Sequence, residues 1–536
     1  MKVDRRAVLA GGGAVAAASA ICWAATREDV IGGSVGSADM ARGHRLRDGK
    51  FPAPSREERT GVVIVGGGVA GLAVGWTLAE AGYDDFTLIE LEDETGGNAR
   101  SGKNAVSAYP LGAHYLPVPN REAKALRHML GKLGMITGAD ADGAPVYDPF
   151  QLCADMEERI LWQGKWHEGL IPTTGLSAVD KADLAAFDAA VASFAKAVGT
   201  DGKPAFALPI AYSSSDPAFT VLDEQSFAAW LDTQGWRSSV LRAHLRYGCR
   251  DDYGCEPEHV SAWVGIHYFA GRRGWAAGGA GESVLTWPEG NARLTRAMAA
   301  RFAGKIRSGR IALAVKRDGD TVVVDSFDVA KNETVRTFAK AAVLALPHFI
   351  AARIAPDISA KGFSYAPWLV ANVTVNRLPR GEGVKLAWDN VAFTGESLGY
   401  VVATHQTLAS APPATVLTWY MPLSRSTPAV GRKLLVVRPA DEWRRIVSED
   451  LLRMNPDLKG AIRSIDLWKW GHAMVRPAPG FVWGKAPAAR AAATPPIFLA
   501  HSDLSGLSLF EEAHYRGVDA AEGAMRMLGH AHESRI

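Results

Sequence analysis

The stretch Val62–Glu90, VVIVGGGVAGLAVGWTLAEAGYDDFTLIE, restricts the fold more than any other part of the chain. Val62–Val65 is short, apolar and β-branched, the composition of a strand buried on both faces of a parallel sheet. Gly66, Gly68 and Gly71 follow as G-x-G-x-x-G. In this spacing the first glycine permits a tight turn and the second lets a pyrophosphate approach the backbone. The third lets the helix sit close on the strand. The helix N-terminus offers free N–H groups and partial positive charge to phosphate. Phe86–Ile89 reads as the next strand. Glu90 ends it, 19 residues beyond Gly71, about where an acid meets a ribose 2′-OH. The alternative is a glycine-rich turn in an ordinary βαβ unit. Strand, helix, second strand and terminal acid in register favour dinucleotide binding.

The N-terminus reads as a targeting segment. Arg5-Arg6 precedes Ala7–Ala25, a mild apolar run rich in small residues. That pattern predicts a twin-arginine-type signal over residues 1–25, passage through the twin-arginine export machinery and a periplasmic location. A retained anchor is the alternative. The route moves folded proteins, which agrees with a cofactor loaded before export. Residues 26–55 are polar and Gly-rich and read as a surface lead-in. Beyond the signal no apolar stretch is long enough to span a membrane. A length of 536 residues allows two or three domains at roughly 150 residues each. The net charge of +2 argues against a nucleic-acid partner held by bulk charge. Cys249 and Cys255 could pair in an oxidising compartment, but free buried thiols are the preferred reading, and no metal site is expected.

Further motifs follow the acid. Gly96-Gly97 and Arg100 come first, then Gly112-Ala113-His114-Tyr115. With these the chain resembles the flavin-containing amine oxidase superfamily, including its phytoene-desaturase and protoporphyrinogen-oxidase branches. The resemblance implies FAD rather than NAD. It places Gly66, Gly68, Gly71, Glu90, Gly96, Gly97 and Arg100 along the dinucleotide, and Gly112 and Ala113 beside the flavin ring. Leu285–Leu294 resembles the family's re-entry into the FAD domain, with Asn291 where a second glycine is common. Ile311–Lys316 and Thr321–Ser326 alternate as hairpin strands. The resemblance implies a backbone contact from Val315 to the adenine. At the C-terminus, His501-Ser502-Asp503 ends the strand Ile497–Ala500, and Glu512-Ala513 opens a helix through Ala521. There Asp503 would hold the ribityl chain. The helix N-terminus at Glu512 and Ala513 would point at the flavin C2 carbonyl and stabilise negative charge. His501 and the acidic pair Glu511-Glu512 depart from the family pattern.

The implied fold class is α/β, a Rossmann-like FAD-binding domain with a parallel sheet discontinuous in sequence, joined to an α+β substrate domain. The FAD-binding parts are residues 56–130, 285–350 and 471–536. The substrate domain takes a helical part, 131–284, and a sheet part, 351–470. Period-3.6 patterns predict helices over Arg121–Leu133, Ala178–Val198, Ser226–Gly235, Val240–Gly248, Val260–Ala270 and Asp441–Leu452. Ile160–Trp166 reads as a hairpin; Leu369–Val375, Leu398–Ala403, Thr415–Met421 and Lys433–Val437 read as strands.

His114, His472 and Trp470 are the candidate active-site residues. His114 belongs to the motif that passes the flavin in the family, and Trp470 and His472 to the region that supplies an aromatic wall. A structural histidine and a core tryptophan are the competing readings. Arg272-Arg273 reads as a solvated turn or, alternatively, as a pair for an acidic substrate. Amine-oxidising members carry a lysine near the start of the strand Leu369–Val375. This chain has Ala371-Asn372 there, and Lys385, the nearest later lysine, reads as solvated. Three functions stay open: an exported FAD-dependent oxidoreductase, amine oxidase-like, that oxidises a C–N or C–C bond of a small organic substrate by hydride transfer to flavin N5; a desaturase or dehydrogenase acting on an apolar substrate with a non-oxygen acceptor; and a non-catalytic flavin-binding assembly protein.

Overall fold

The computed structural model describes residues 31–407, 413–484 and 494–536. The predicted signal and the first residues of the lead-in lie outside them. The run Val62–Val65 belongs to a long strand, Pro54–Val65, and is at most 1% exposed because both faces are covered. Val62 and Ile64 enter one core, with the helix Val69–Glu80 and the C-terminal helix Phe510–Met527. Val63 and Val65 enter another, with Ala351 and Ile354 of the helix His348–Ile354. Strict alternation of side chains across a strand makes this division automatic.

Parallel neighbours flank this strand, Phe86–Ile89 on one side and Glu333–Leu344 on the other. Ile306–Arg307 and Ile497–Leu499 extend the parallel layer at its two ends. Glu333–Leu344 also continues into an antiparallel meander with Thr321–Asp328 and Arg310–Asp318. The architecture is therefore α/β, with a Rossmann-like sheet assembled from strands far apart in sequence.

A second, mostly antiparallel sheet has eight strands. Its centre is Ile462–Val475, Tyr365–Val375 and Thr415–Pro422. Gly399–Val402, Asp389–Ala392 and the hairpin Glu158–Trp162/Lys165–Glu168 follow outward. The helices Ala178–Lys196, Phe227–Thr233, Ser239–Tyr253 and Ala262–Ala270 pack around Phe206, Phe227 and Trp263. Each begins at a serine whose hydroxyl accepts a backbone N–H, an effective N-cap.

Two expectations are corrected. Lys433–Val437 is the end of a helix, Pro428–Val437, not a strand. Thr427 caps it and Pro428 occupies its first turn, and these start signals outweigh a short apolar run that carries no period. The lead-in is also built into the fold. Val35–Ser37 adds a parallel strand to Ile462–Val475, and the Arg42 guanidinium of the helix Met40–Asp48 reaches Asp93 at 2.7 Å. No local pattern announces a three-residue strand whose partner lies some 430 residues away.

Candidate active site

The turn after Val65 has the features of a dinucleotide cradle. A Cβ built on Gly71 would stand 1.9 Å from the Gly66 carbonyl oxygen, so helix and strand touch there as only glycine allows. A Cβ on Gly68 would face open space, with Gly97 Cα its nearest neighbour at 4.0 Å. Gly68 is the N-cap of the helix Val69–Glu80, and no side chain caps that helix. Its opening N–H groups are thus left for a ligand. The Gly96 N–H donates to the Gly67 carbonyl at 2.8 Å and binds the two glycine loops together.

Glu90 receives the N–H groups of Gly67 at 2.6 Å and Glu92 at 2.8 Å, one on each oxygen. Each oxygen keeps a second lone pair for a ribose hydroxyl. Arg100 pairs with Glu92 at 3.2 Å, its guanidinium 5.3 Å from the Trp468 ring and 5.7 Å from the Trp470 ring. Val315 is 1% exposed, packs in the core beneath the sheet, and pairs with Val324.

A half-open cavity of about 140 Å³ lies between the second sheet, the helical region and the start of the C-terminal helix. At about 30 Å³ per liquid water, that is room for roughly five water molecules. Gly112, Ala113 and His114 form one wall, and Trp368, Tyr420 and Trp470 another. Ser508–Glu511, which opens the C-terminal helix, lines a third. The N-cap of that helix, Leu509, supplies no side-chain cap. Four polar atoms on the lining residues lack a protein partner: Trp368 Nε1, Asn291 Oδ1, the Tyr420 hydroxyl and Arg272 Nε. Buried groups of this kind are almost always bonded to something, so they mark a place for a ligand or water.

His114 stacks on Tyr420 with ring centroids 4.5 Å apart. Burial pushes its pKa down to about 4, so the imidazole is neutral at pH 7. Trp470 donates its indole N–H to the Leu111 carbonyl at 2.6 Å and is locked as a wall. His472 is not brought to the cavity; it is exposed and stacks on Phe349 at 4.6 Å. Asp503 is fully buried and does not line this cavity; its Oδ2 is hydrogen-bonded while its Oδ1 has no hydrogen-bond partner. The N–H of His348 donates to it at 2.9 Å and the Tyr365 hydroxyl at 2.6 Å. Burial opposes its charge, but His501 and these bonds win and hold its pKa far below the usual carboxylate range. Glu512 accepts the N–H of Ile210 at 2.6 Å and ties the helical region to the C-terminal helix. Ala513 packs against the core of the parallel sheet. It is Glu511 that lines the cavity.

The polar end of the cavity brings together Asp251 and Asp252, which sequence reasoning missed, with Tyr115 of the Gly112–Tyr115 motif, Arg272, whose alternative reading was a partner for an acidic substrate, and Glu511. Arg272 binds both oxygens of Asp252, at 2.8 and 2.6 Å. Burial opposes the guanidinium charge, but Asp252 overrides it and raises the Arg272 pKa. The Tyr115 hydroxyl donates to Asp251 at 3.2 Å. One signal for the pair was present. Asp251 and Asp252 fall in the last turn of the helix Ser239–Tyr253, where acids oppose the helix dipole. Residues placed against their intrinsic preference mark a site. Cys249 and Cys255 are free thiols and buried.

Burial, with the charge of Asp252 second, pushes Asp251 up to about 7; burial does the same for Glu511, Glu157 and Glu158. An acid whose folded pKa exceeds its unfolded value of about 4 contributes no destabilisation while both states are protonated. Stability then falls as pH rises from that value through the folded pKa. A melting series is therefore expected to show Tm lower by several degrees at pH 8 than at pH 5. A flat profile across that window would contradict the burial of these carboxyls.

Among the described residues no helix is long and apolar enough to cross a membrane, and no group of three or more His, Cys, Asp or Glu is arranged to hold a metal ion. Residues 64–133 match the family model for an NAD(P)-binding Rossmann-like domain. Among curated proteins no sequence matches the chain. Among solved structures it is similar to wild-type putrescine oxidase bound to putrescine: TM-score 0.64, 15% identity, covering 88% of this chain and 100% of that one. It is similar also to cyclohexylamine oxidase from Brevibacterium oxydans IH-35A: TM-score 0.63, 15% identity, 88% and 99% covered. A third is a CLA-producing fatty acid isomerase from P. acnes: TM-score 0.60, 15% identity, 87% and 98% covered. The chain shares its fold with these two oxidases and this isomerase.

Proposed function

We propose that this protein is an FAD-dependent oxidoreductase that takes a hydride from a C–N or C–C bond of a small organic substrate. One observation carries the reading: one cavity is lined both by the uncapped start of the C-terminal helix and by Gly112–His114. The donor set fits the cofactor. The N–H groups opening the helix Val69–Glu80 suit its pyrophosphate, with Gly68 left open to it. Glu90 keeps lone pairs for the ribose. The N-terminus of the helix Phe510–Met527 suits negative charge on the flavin pyrimidine. Bound FAD supplies the two-electron acceptor.

The chain's own residues position substrate and exclude water. Trp368, Tyr420 and Trp470 make an apolar wall; Asp251, Glu511 and the Arg272–Asp252 pair make the polar end. Neutral His114 offers a hydrogen bond without a charge.

A second reading, a desaturase or dehydrogenase with a non-oxygen acceptor, is favoured by the residues that the strand Tyr365–Val375 sends to the cavity. They are Trp368 and Val370, with no lysine, and Lys385 is exposed in a loop. Purified protein should be yellow. Anaerobic bleaching by one member of an amine and apolar-substrate panel supports the proposal, and peroxide release on readmitting air selects the oxidase. Colourless protein that fails to take up FAD would refute the assignment. Arg5-Arg6 supports export to the periplasm by the twin-arginine route. Arg5→Lys with Arg6→Lys is expected to leave the protein in the cytoplasmic fraction, and normal export of that variant would overturn the route.

A further inference from the structure

Asp251 and Asp252 are chain neighbours that both line the cavity, yet their situations differ. Arg272 holds Asp252 by two charge-assisted bonds. Asp251 accepts a hydroxyl hydrogen bond, from Tyr115 at 3.2 Å. More acids face it. Asp252 and Glu158 raise its pKa, and Asp389, itself held by the Tyr247 hydroxyl at 3.1 Å, interacts with it too. Glu511 stands across the cavity, and Tyr268 comes from the helix Ala262–Ala270. Arg272 is the cation among these groups, and Asp252 engages it directly. A carboxyl so placed gives up and takes back a proton near neutrality. Burial raises the Asp252 carboxyl too, but there the guanidinium bound to both oxygens opposes the rise.

Position makes this capacity useful. Tyr115 follows His114, with the two rings 5.0 Å apart, so Asp251 reaches the wall that carries His114 through one hydroxyl. Trp368 and Asn291 line the same cavity, and Trp368 Nε1 and Asn291 Oδ1 have no protein partner.

We propose that Asp251 is the proton-accepting residue of this cavity. The inference rests on the oxidoreductase reading given above. In the transfer an N–H or O–H bond of the substrate breaks and an O–H bond forms on the Asp251 carboxylate. The bonding electrons stay with the substrate, so no oxidation occurs in this step; hydride loss is the separate two-electron step. Asp251 must be ionised to accept, so the rate rises with pH through neutrality.

The test uses the full flavin-loaded protein and a substrate that bleaches it. Asp251→Asn should slow anaerobic flavin reduction by ~100-fold, the scale of general base catalysis. It should also flatten the rise in rate with pH, while Asp251→Glu keeps a rise. Infrared difference spectra of the substrate-free protein give a readout independent of turnover. The protonated-carboxyl absorbance lost with a midpoint near pH 7 should be smaller in Asp251→Asn by one carboxyl's share, with Glu511, Glu157 and Glu158 supplying the remainder. Wild-type rate and pH profile in Asp251→Asn, or an unchanged carboxyl band, would overturn the inference alone. A wild-type protein that no substrate bleaches would overturn the oxidoreductase reading, and this inference with it.

Discussion

Gly68→Ala is expected to fold normally and to purify without flavin. Its backbone, φ −73° and ψ −173°, is one that alanine adopts freely. A Cβ there meets no protein atom closer than Gly97 Cα at 4.0 Å. The methyl group enters only the space in which a pyrophosphate would touch the helix N-terminus. Melting of the flavin-free protein should therefore match the wild type, while flavin affinity falls by about 3 kcal/mol, roughly 100-fold. Gly71→Ala is the contrasting case. Its Cβ collides with a backbone oxygen at 1.9 Å, which no side-chain rotation relieves, so folded protein itself should be lost. If Gly68→Ala binds FAD as tightly as the wild type, measured by titrating the flavin-free protein, the cradle assignment fails.

Arg272→Ala is the second large effect. It leaves Asp252, 4% exposed, as a buried carboxylate beside Asp251 with no cation opposite it. Removing one partner of a buried pair costs about 3–5 kcal/mol at neutral pH. The guanidinium also stacks on Tyr268 at 4.5 Å, and that packing is lost with it. Arg272→Met with Asp252→Leu removes the stranded charge and should recover most of the stability. Denaturant unfolding at pH 7 measures both. A single variant within about 0.5 kcal/mol of the wild type, the range of ordinary surface substitutions, would show that the pair is not buried as described.

The two variants stand at opposite ends of what could be read from the chain. Gly68 was legible because its requirement is local. Five neighbouring residues and a strand pattern state that backbone must be approached closely. The helices Ala178–Lys196 and Ser239–Tyr253 were legible for a similar reason, since serine caps and a 3.6-residue period lie within one segment. Arg272 was not legible. Its sequence context, Gly-Arg-Arg-Gly, suits a solvated turn, and its partner Asp252 comes from another helix. His472 and Trp470 show the same limit at finer scale. Two residues apart on one strand, one is buried against the Leu111 carbonyl and the other exposed on Phe349. Lys433–Val437 failed because a short apolar run has no period to separate helix from strand.

The stretch Val62–Glu90 therefore determined by itself the strand–glycine turn–helix unit and the acid that ends its second strand, because each depends on residues adjacent in the chain. Tertiary structure decided which distant groups share one low-dielectric space. Gly112–Tyr115, Asp251, Arg272, Trp368, Tyr420, Trp470 and Glu511 come from seven separated segments. Burial, the loss of solvent screening, and the choice of which carboxylate receives the arginine arise only when those segments meet.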